Sequence, residues 1–182
     1  MRISDIFCRS REFKQVLETS RPRLYRIAYS WTHDAALADD LVQETLTKAW
    51  QKYDQLRNPK AQEAWLFSIL TNCFRDHYRR HRETDDIDEM DIAGDQCLET
   101  EQHRSELVGR VRKAIERLPE GQRQVVTLVD LEGFSYIEVS SILGIPSGTV
   151  MSRLCRARAA LKTLLLPELI AAQQGPKIRR VK

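Results

Sequence analysis

The sequence predicts an all-α protein: two small helical domains joined by an acidic flexible linker, the second containing a helix-turn-helix. Three observations carry that reading. Apolar residues recur at the helical period on both sides of the chain's middle, and no strand-like alternation interrupts them. Between these segments the charge changes sign: Glu83 to Glu101, ETDDIDEMDIAGDQCLETE, holds nine acids and no Lys or Arg, with an Ala-Gly break at its centre. Such a composition reads as a mobile linker. Finally, residues 135 to 158, SYIEVSSILGIPSGTVMSRLCRAR, read as two short helices around a tight turn.

Composition sets the outer bounds. At 182 residues, with 42% hydrophobic and 30% charged, the chain is globular and rich in exposed helix. A net charge of only +3 excludes a uniformly basic nucleic-acid coat, so charge must be read by segment. Cys8, Cys73, Cys97 and Cys155 are scattered without a C-x-x-C pair, which points to reduced thiols in a cytoplasm and away from a zinc ribbon or disulfide framework. The N-terminus MRISDIFCRSREF lacks a continuous apolar run, and no segment approaches bilayer-spanning length. We therefore expect a cytoplasmic protein that does not span a membrane, needs no cofactor and holds no metal.

In the first half, Leu24, Ile27, Ala28 and Trp31 mark one helix. A second is expected from Asp34, a good cap, to about Tyr53, with Ala38, Leu41, Val42, Thr45 and Ala49 facing inward. Its opposite side carries Asp40, Gln43, Glu44, Thr47 and Gln51, an acidic and amide-rich strip suited to a basic partner. A turn at Arg57-Asn58-Pro59 leads to a third helix, from about Lys60 to Arg82. There Leu66, Leu70, Cys73, Phe74 and His77 cluster on one side. Ser68, Asn72, Arg75, Arg79 and Arg82 share the other, forming a basic rail. With Tyr53, Trp65 and Phe67 nearby, the segment combines aromatic and basic groups as single-stranded nucleic-acid sites do, although large aromatics at helical spacing are more often core. Cys73, His77 and His81 stand at four-residue steps, but they share the apolar side and no fourth ligand is evident, so core packing is preferred over a metal site.

In the second half, Ser135 and Glu138 form a capping box. Gly144 suits the left-handed residue that closes a helix, Pro146 stops simple continuation, and Ser147 can cap the next helix. Val150, Leu154, Ala157, Leu161 and Leu165 fall on one inward stripe. Thr149, Ser152, Arg153 and Arg156 lie away from it, as residues presented to a major groove would. An amphipathic hairpin with a solvated basic face is the plain alternative.

Three stretches in order, DDLVQETLTKAW, LRNPKAQEAWLFSILTNCFRDHYRR and LPEGQRQVVTLVDLEGFSYIEVSSILGIPSGTVMSRLCRARAAL, resemble the bacterial extracytoplasmic-function (ECF) sigma factors of the sigma-70 family over roughly residues 20 to 166. The resemblance implies a region-2 domain over 10–83, an acidic linker over 84–105, a region-4 domain over 106–166 and a basic tail over 167–182. It implies that the partners are core RNA polymerase, promoter DNA and an anti-sigma factor. Carried over by position, Asp40, Gln43 and Glu44 match the surface for the polymerase clamp helices. Asn72, Arg75, Arg79 and Arg82 match the part that meets the downstream promoter element, and Asn58 and Lys60 the loop that captures an extruded base. Thr149, Met151, Ser152, Arg153 and Arg156 match the positions facing the upstream element, Met151 standing where the family often has a basic residue.

Two other classes compete with this reading. A stand-alone regulator would use the same helix-turn-helix but needs a dimer interface or sensing domain, and neither is visible. A protein-interaction module would leave the tail KIRRVK merely solubilising. The absence of a Gly-rich Walker pattern removes a nucleotide-hydrolysing engine, so DNA melting would be driven by binding alone. The acidic linker, repelled by promoter phosphates, is expected to lie in the path of the nascent transcript.

Overall fold

A computed structural model describes residues 3–56, 58, 61–84 and 102–173, and every regular element among them is helical. The order is α1 (Ile3–Thr32), α2 (Ala35–Gln51), a 3-10 turn (Tyr53–Gln55), α3 (Gln62–Thr84), α4 (Gln102–Glu116), α5 (Glu120–Val126), a π turn (Thr127–Leu131), α6 (Tyr136–Leu143) and α7 (Ser147–Gln173). The expected acidic linker falls almost wholly outside the described residues, as does the end of the basic tail.

The first three helices form one packed layer. Asp34 starts α2 as its spacing suggests: its carboxylate accepts from the backbone N–H of Ala36 at 2.8 Å and Leu37 at 3.0 Å. The expected stripe of Ala38, Leu41, Val42, Thr45 and Ala49 is buried. One boundary differs from expectation: α2 ends at Gln51, and the 3-10 turn begins at Tyr53. Helix α1 runs through Pro22, where the missing N–H and the ring normally break a helix at a cost of about 3 kcal/mol. Leu17 and Leu24, on either side of the proline, are both buried, so packing on each flank holds the helix together.

The helix-turn-helix follows its local signals closely. Ser135 and Glu138 make the reciprocal capping box, and Gly144 closes α6 at φ 61°. The start of α7 lies one residue earlier than the sequence suggests. Instead of a Ser147 side-chain cap, the Pro146 carbonyl accepts from the N–H groups of Thr149 at 2.9 Å and Val150 at 3.1 Å. Val150, Leu154 and Ala157 are buried, whereas Leu161 and Leu165 are only half-buried. The expected stripe thus fades where α7 leaves the core.

One feature has no counterpart in the sequence reading: the two halves are docked, and a single cluster of buried side chains runs from Phe13 to Ala157. Phe67 of α3 meets Phe134 edge-on at 5.0 Å between ring centres. Trp31, at the end of α1, lies edge-on to Phe74 at 5.4 Å and donates its indole N–H to Thr127 Oγ1 at 2.9 Å. The π turn, closed by Glu132 N–H to the Thr127 carbonyl at 3.1 Å, presents that hydroxyl. Arg123 of α5 completes the joint, donating to the carbonyls of Trp31, Glu116 and Leu118 at 2.9 to 3.1 Å. The Trp31 and Glu116 carbonyls lie at the ends of α1 and α4, where intrahelical partners run out, so one guanidinium caps two helix ends from different halves of the chain.

Candidate nucleic-acid interface

The sequence-identified residues fall on three surfaces. The first is the outer side of α2, where Asp40 and Gln43 are exposed and Glu44 is half-buried. Glu44 is not a bare carboxylate. Lys48 Nζ lies 2.8 Å away, one turn on, and Arg80 of α3 approaches to 3.9 Å. The bond to Glu44, only partly opposed by burial, pushes the Lys48 ammonium above its ordinary value. The strip therefore presents one acid held by neighbouring cations beside a second that remains on the surface.

The second surface is α3. Its apolar side is buried as expected at Leu66, Leu70, Cys73 and Phe74, while His77 reaches the boundary and is half-buried. Phe67 is core and Trp65 partly so, in line with the preference for packing over stacking. Asn72 and Arg79 are exposed, and Arg79 reaches back to Asp76 at 3.0 Å. Arg75 behaves differently. Also exposed, it spends one donor on the other half of the chain: its Nη2 donates to the Leu143 carbonyl of α6 at 2.6 Å. The Arg82 side chain and Lys60 lie outside the described residues. Asn58 is exposed, and its carbonyl accepts from the Ala61 N–H at 3.1 Å.

His77 and His81 stack at 4.1 Å between ring centres, and burial, together with the His81 and Arg80 charges, lowers the His77 pKa. Among the described residues no group of three metal-ligating side chains comes together.

The third surface is the solvent side of α7. Met151, Ser152 and Arg156 are exposed and Thr149 is partly so. Arg156 Nε donates to the Ser152 carbonyl at 3.2 Å, which lays the side chain along its own helix. Arg153 is half-buried and lies over α5, so close that a Cβ on Gly121 would meet its Nη1 at 2.9 Å. A side chain at Gly121 would therefore have to push the end of the Arg153 side chain aside. Nearby, Arg158 makes a two-pronged bond to Asp130 at 2.6 and 3.1 Å, joining α7 to the π turn. That pairing raises the guanidinium pKa and orients α7 from outside its reading face.

Between the second and third surfaces lies the joint that the sequence reading missed. Glu132, its side chain only 4% exposed, receives Arg23 Nε at 2.7 Å and faces Arg26 at 3.7 Å. Arg23 also holds Glu63 at 2.8 Å. Burial opposes its charge, but the bonds to Glu132 and Glu63 outweigh that and raise its pKa. At the far end of the joint, Arg123 Nη1 lies 2.7 Å from His33 Nε2. An arginine can only donate, so His33 must accept there as the neutral ring, leaving its Nδ1 proton toward Glu116 Oε1 at 3.5 Å. Burial and the Arg123 charge both lower the His33 pKa, against the smaller pull of Glu116. His33 also carries φ 56°, a left-handed turn that brings α2 back along α1.

Comparison with known proteins agrees with this geometry. The family description "Sigma-70 region 2" matches residues 16–84 and "Sigma-70, region 4" matches 109–161. The chain is 37% identical over 146 residues to an ECF RNA polymerase sigma factor, EcfG, of Rhodopseudomonas palustris, covering 79% of this chain and 80% of that one. It is 32% identical over 169 residues to the RNA polymerase sigma-H factor of Pseudomonas aeruginosa, covering 86% and 88%. Among solved structures it resembles the sigma factor RpoE of Bartonella quintana, crystallised with the anti-sigma factor NepR. That match has a TM-score of 0.75 and 38% identity and covers 85% of this chain and 96% of that one. It also resembles CnrH in complex with the cytosolic domain of CnrY, with a TM-score of 0.61 and 32% identity over 85% of this chain and 88% of the other.

Proposed function

Because the chain belongs to the ECF sigma factors of the sigma-70 family, we propose that its three surfaces divide the work of transcription initiation. The protein is an RNA polymerase sigma factor, the subunit that directs core enzyme to promoters. It is under anti-sigma control, as its structural relatives are. The residue assignments are our reading. Asp40, Gln43 and Glu44 receive the polymerase. Asn72, Arg75, Arg79 and Arg82 meet the downstream element, with Asn58 and Lys60 at the extruded base. Thr149, Met151, Ser152, Arg153 and Arg156 face the upstream element. The working units are 10–83 and 106–166, with 84–105 as the acidic connection and 167–182 as a basic tail.

The observation that carries the reading is the sidedness of α7: Met151, Ser152 and Arg156 are exposed while Val150, Leu154 and Ala157, interleaved with them, are buried. A helix so divided offers one polar and basic face to a major groove, where a well-placed bidentate contact discriminates bases by about 1–3 kcal/mol. That is too little for one short reader to find a promoter. Tethering it to a second reader and to the polymerase raises its effective concentration.

The chemistry is binding chemistry. Flipping a base costs a few kcal/mol, which stacking and phosphate contacts along α3 can offset, so the protein acts as a regulatory initiation factor and not as an enzyme. No described helix is long and apolar enough to cross a membrane, and the scattered thiols support a cytoplasmic site of action.

The polymerase surface gives the sharpest test. Asp40 and Glu44 are one turn apart and outside the buried stripe of α2, so reversing both leaves the apolar packing intact and forfeits only the partly exposed pairs of Glu44 with Lys48 and Arg80, a loss of about 1 kcal/mol. Facing a basic partner helix, the Asp40→Lys, Glu44→Lys variant brings like charges together. We expect it to melt near the wild-type temperature by circular dichroism and to lose core polymerase in a pull-down. Retained binding by the folded variant removes α2 from the interface.

A further inference from the structure

The reading face of α7 is short of hydrogen-bonding groups at the end that enters a major groove. In a helix-turn-helix the N-terminal residues of the second helix meet the base edges. Here the exposed positions of the first two turns are Ser147, Gly148, Met151, Ser152 and Cys155, and none of these side chains carries a fixed charge. Ser152 is engaged within its own helix: its hydroxyl donates to the Thr149 carbonyl at 3.1 Å and accepts from Arg156 Nη2 at 3.4 Å. Arg153 leans away, over Gly121 of α5. That leaves Gly148, Met151 and Cys155, spaced by three and four residues and so aligned along one edge of the face.

Met151 is the large side chain of that line. It is 55% exposed, whereas Val150 and Leu154 on the inner side of the same helix are buried, so the core does not account for it. Beside it the surface is open: a Cβ on Gly148 would meet nothing within 4 Å, which lets a groove close on Met151 without obstruction. An exposed apolar chain on a face otherwise suited to DNA calls for an apolar counterpart. Among the four bases only thymine presents one in the major groove, its C5 methyl group. Against any other edge, Met151 would displace water from a donor or acceptor and return no hydrogen bond, which is unfavourable. Its thioether chain is flexible and polarisable, suited to closing round a methyl group. Resting on the functional reading above, we infer that Met151 selects a thymine in the upstream element by packing on its C5 methyl group. The selection is confined to one base pair, so loss of Met151 relaxes that position and leaves the rest of the element read.

The test uses the full chain as a holoenzyme with core polymerase. Upstream elements are selected from a random library by the unmodified protein, by Met151→Ala and by Met151→Lys, each shown by a circular-dichroism melt to be folded. In the element chosen by the unmodified protein, each thymine on either strand is replaced singly by deoxyuridine, which keeps the pairing and removes only the methyl group. We expect one replacement to weaken binding by the unmodified holoenzyme severalfold. The same replacement should leave the affinity of the Met151→Ala holoenzyme unchanged, because the two partners of one contact are coupled. At that position Met151→Ala should select with little preference, and Met151→Lys should turn from thymine to guanine, whose O6 and N7 accept hydrogen bonds. The inference is overturned if no replacement weakens the unmodified holoenzyme, if every replacement that does so weakens Met151→Ala equally, or if both variants keep the thymine preference. An element selected without thymine on either strand overturns it as well. Failure of the functional reading is seen separately, as no promoter-specific transcript from the unmodified chain with core enzyme.

Discussion

Arg75 and Arg156 are the same side chain on the solvent side of a packed helix, and the fold treats them oppositely. Arg156 lies along α7 on a face bounded by exposed Met151 and Ser152. Arg75 crosses to the other half of the chain and caps α6. Nothing in the local sequence distinguishes them, since both are arginines one turn beyond another polar residue. What separates them is which helix the rest of the molecule places opposite. Whether a basic residue is available to nucleic acid is therefore a property of the domain arrangement, and the readiest way to test the contrast is to disturb the arrangement first and the individual readers afterwards.

The largest effect is expected where the halves share a core. Trp31 is buried against Phe74 and bonds Thr127, so Trp31→Ala removes a large side chain and leaves a hydroxyl without its donor. Truncations of this kind cost about 3–5 kcal/mol. Thermal unfolding followed by far-ultraviolet circular dichroism should show a sharply lower midpoint, and labels in either half should report the same transition. Independent melting of the halves would mean that they are tethered and not fused.

Next come the readers themselves. Arg156→Ala should weaken upstream-element binding and relax its base preference by about 1–3 kcal/mol. Arg79→Ala should leave that preference intact and reduce promoter melting, measured by permanganate footprinting. Normal melting by Arg79→Ala would remove α3 from the melting machinery and leave α7 as the sole DNA reader.

A smaller and strictly local effect is expected at the helix start. Ser135→Ala deletes the hydroxyl that caps α6 and removes one of the two bonds, from the Ser135 hydroxyl and N–H, that hold the Glu138 pKa down. The loss is about 1 kcal/mol. It should appear in upstream-element affinity by gel shift, with downstream melting unaltered.

The local devices are also the legible ones. The capping box, Gly144, the Asp34 cap and the α2 stripe are each specified within a few residues, and the sequence reading finds them. Pro22 stands inside α1 because burial on both flanks overrides a strong local breaker. The joint is invisible because its partners are far apart in the chain: Arg23 and Glu132 are 109 positions apart, Trp31 and Thr127 are 96. No periodicity encodes such pairs. Of the candidate site residues, the exposed ones on α7 and α2 could be recognised from helical sidedness, whereas the diversion of Arg75 depends on where α6 docks.

The smallest expected effect concerns acidity. The fold holds the His33 pKa below its ordinary value through burial and the Arg123 charge. The unfolded chain therefore takes up the proton more readily, and stability present above about pH 6.5 is lost as the pH falls through the folded value. Because His77 is displaced in the same direction, His33→Gln should blunt the acid loss without abolishing it, as read from melting midpoints between pH 8 and 5.

The central claim is that this chain reads promoters as a part of RNA polymerase, and a gel shift tests it most directly. A promoter selected from a random library by the reconstituted holoenzyme is incubated with the chain alone and with the chain plus core enzyme. The account predicts a specific shift only in the second case, since one helix-turn-helix binds too weakly by itself. A specific complex of equal affinity with the chain alone would contradict it and identify a self-sufficient DNA-binding regulator.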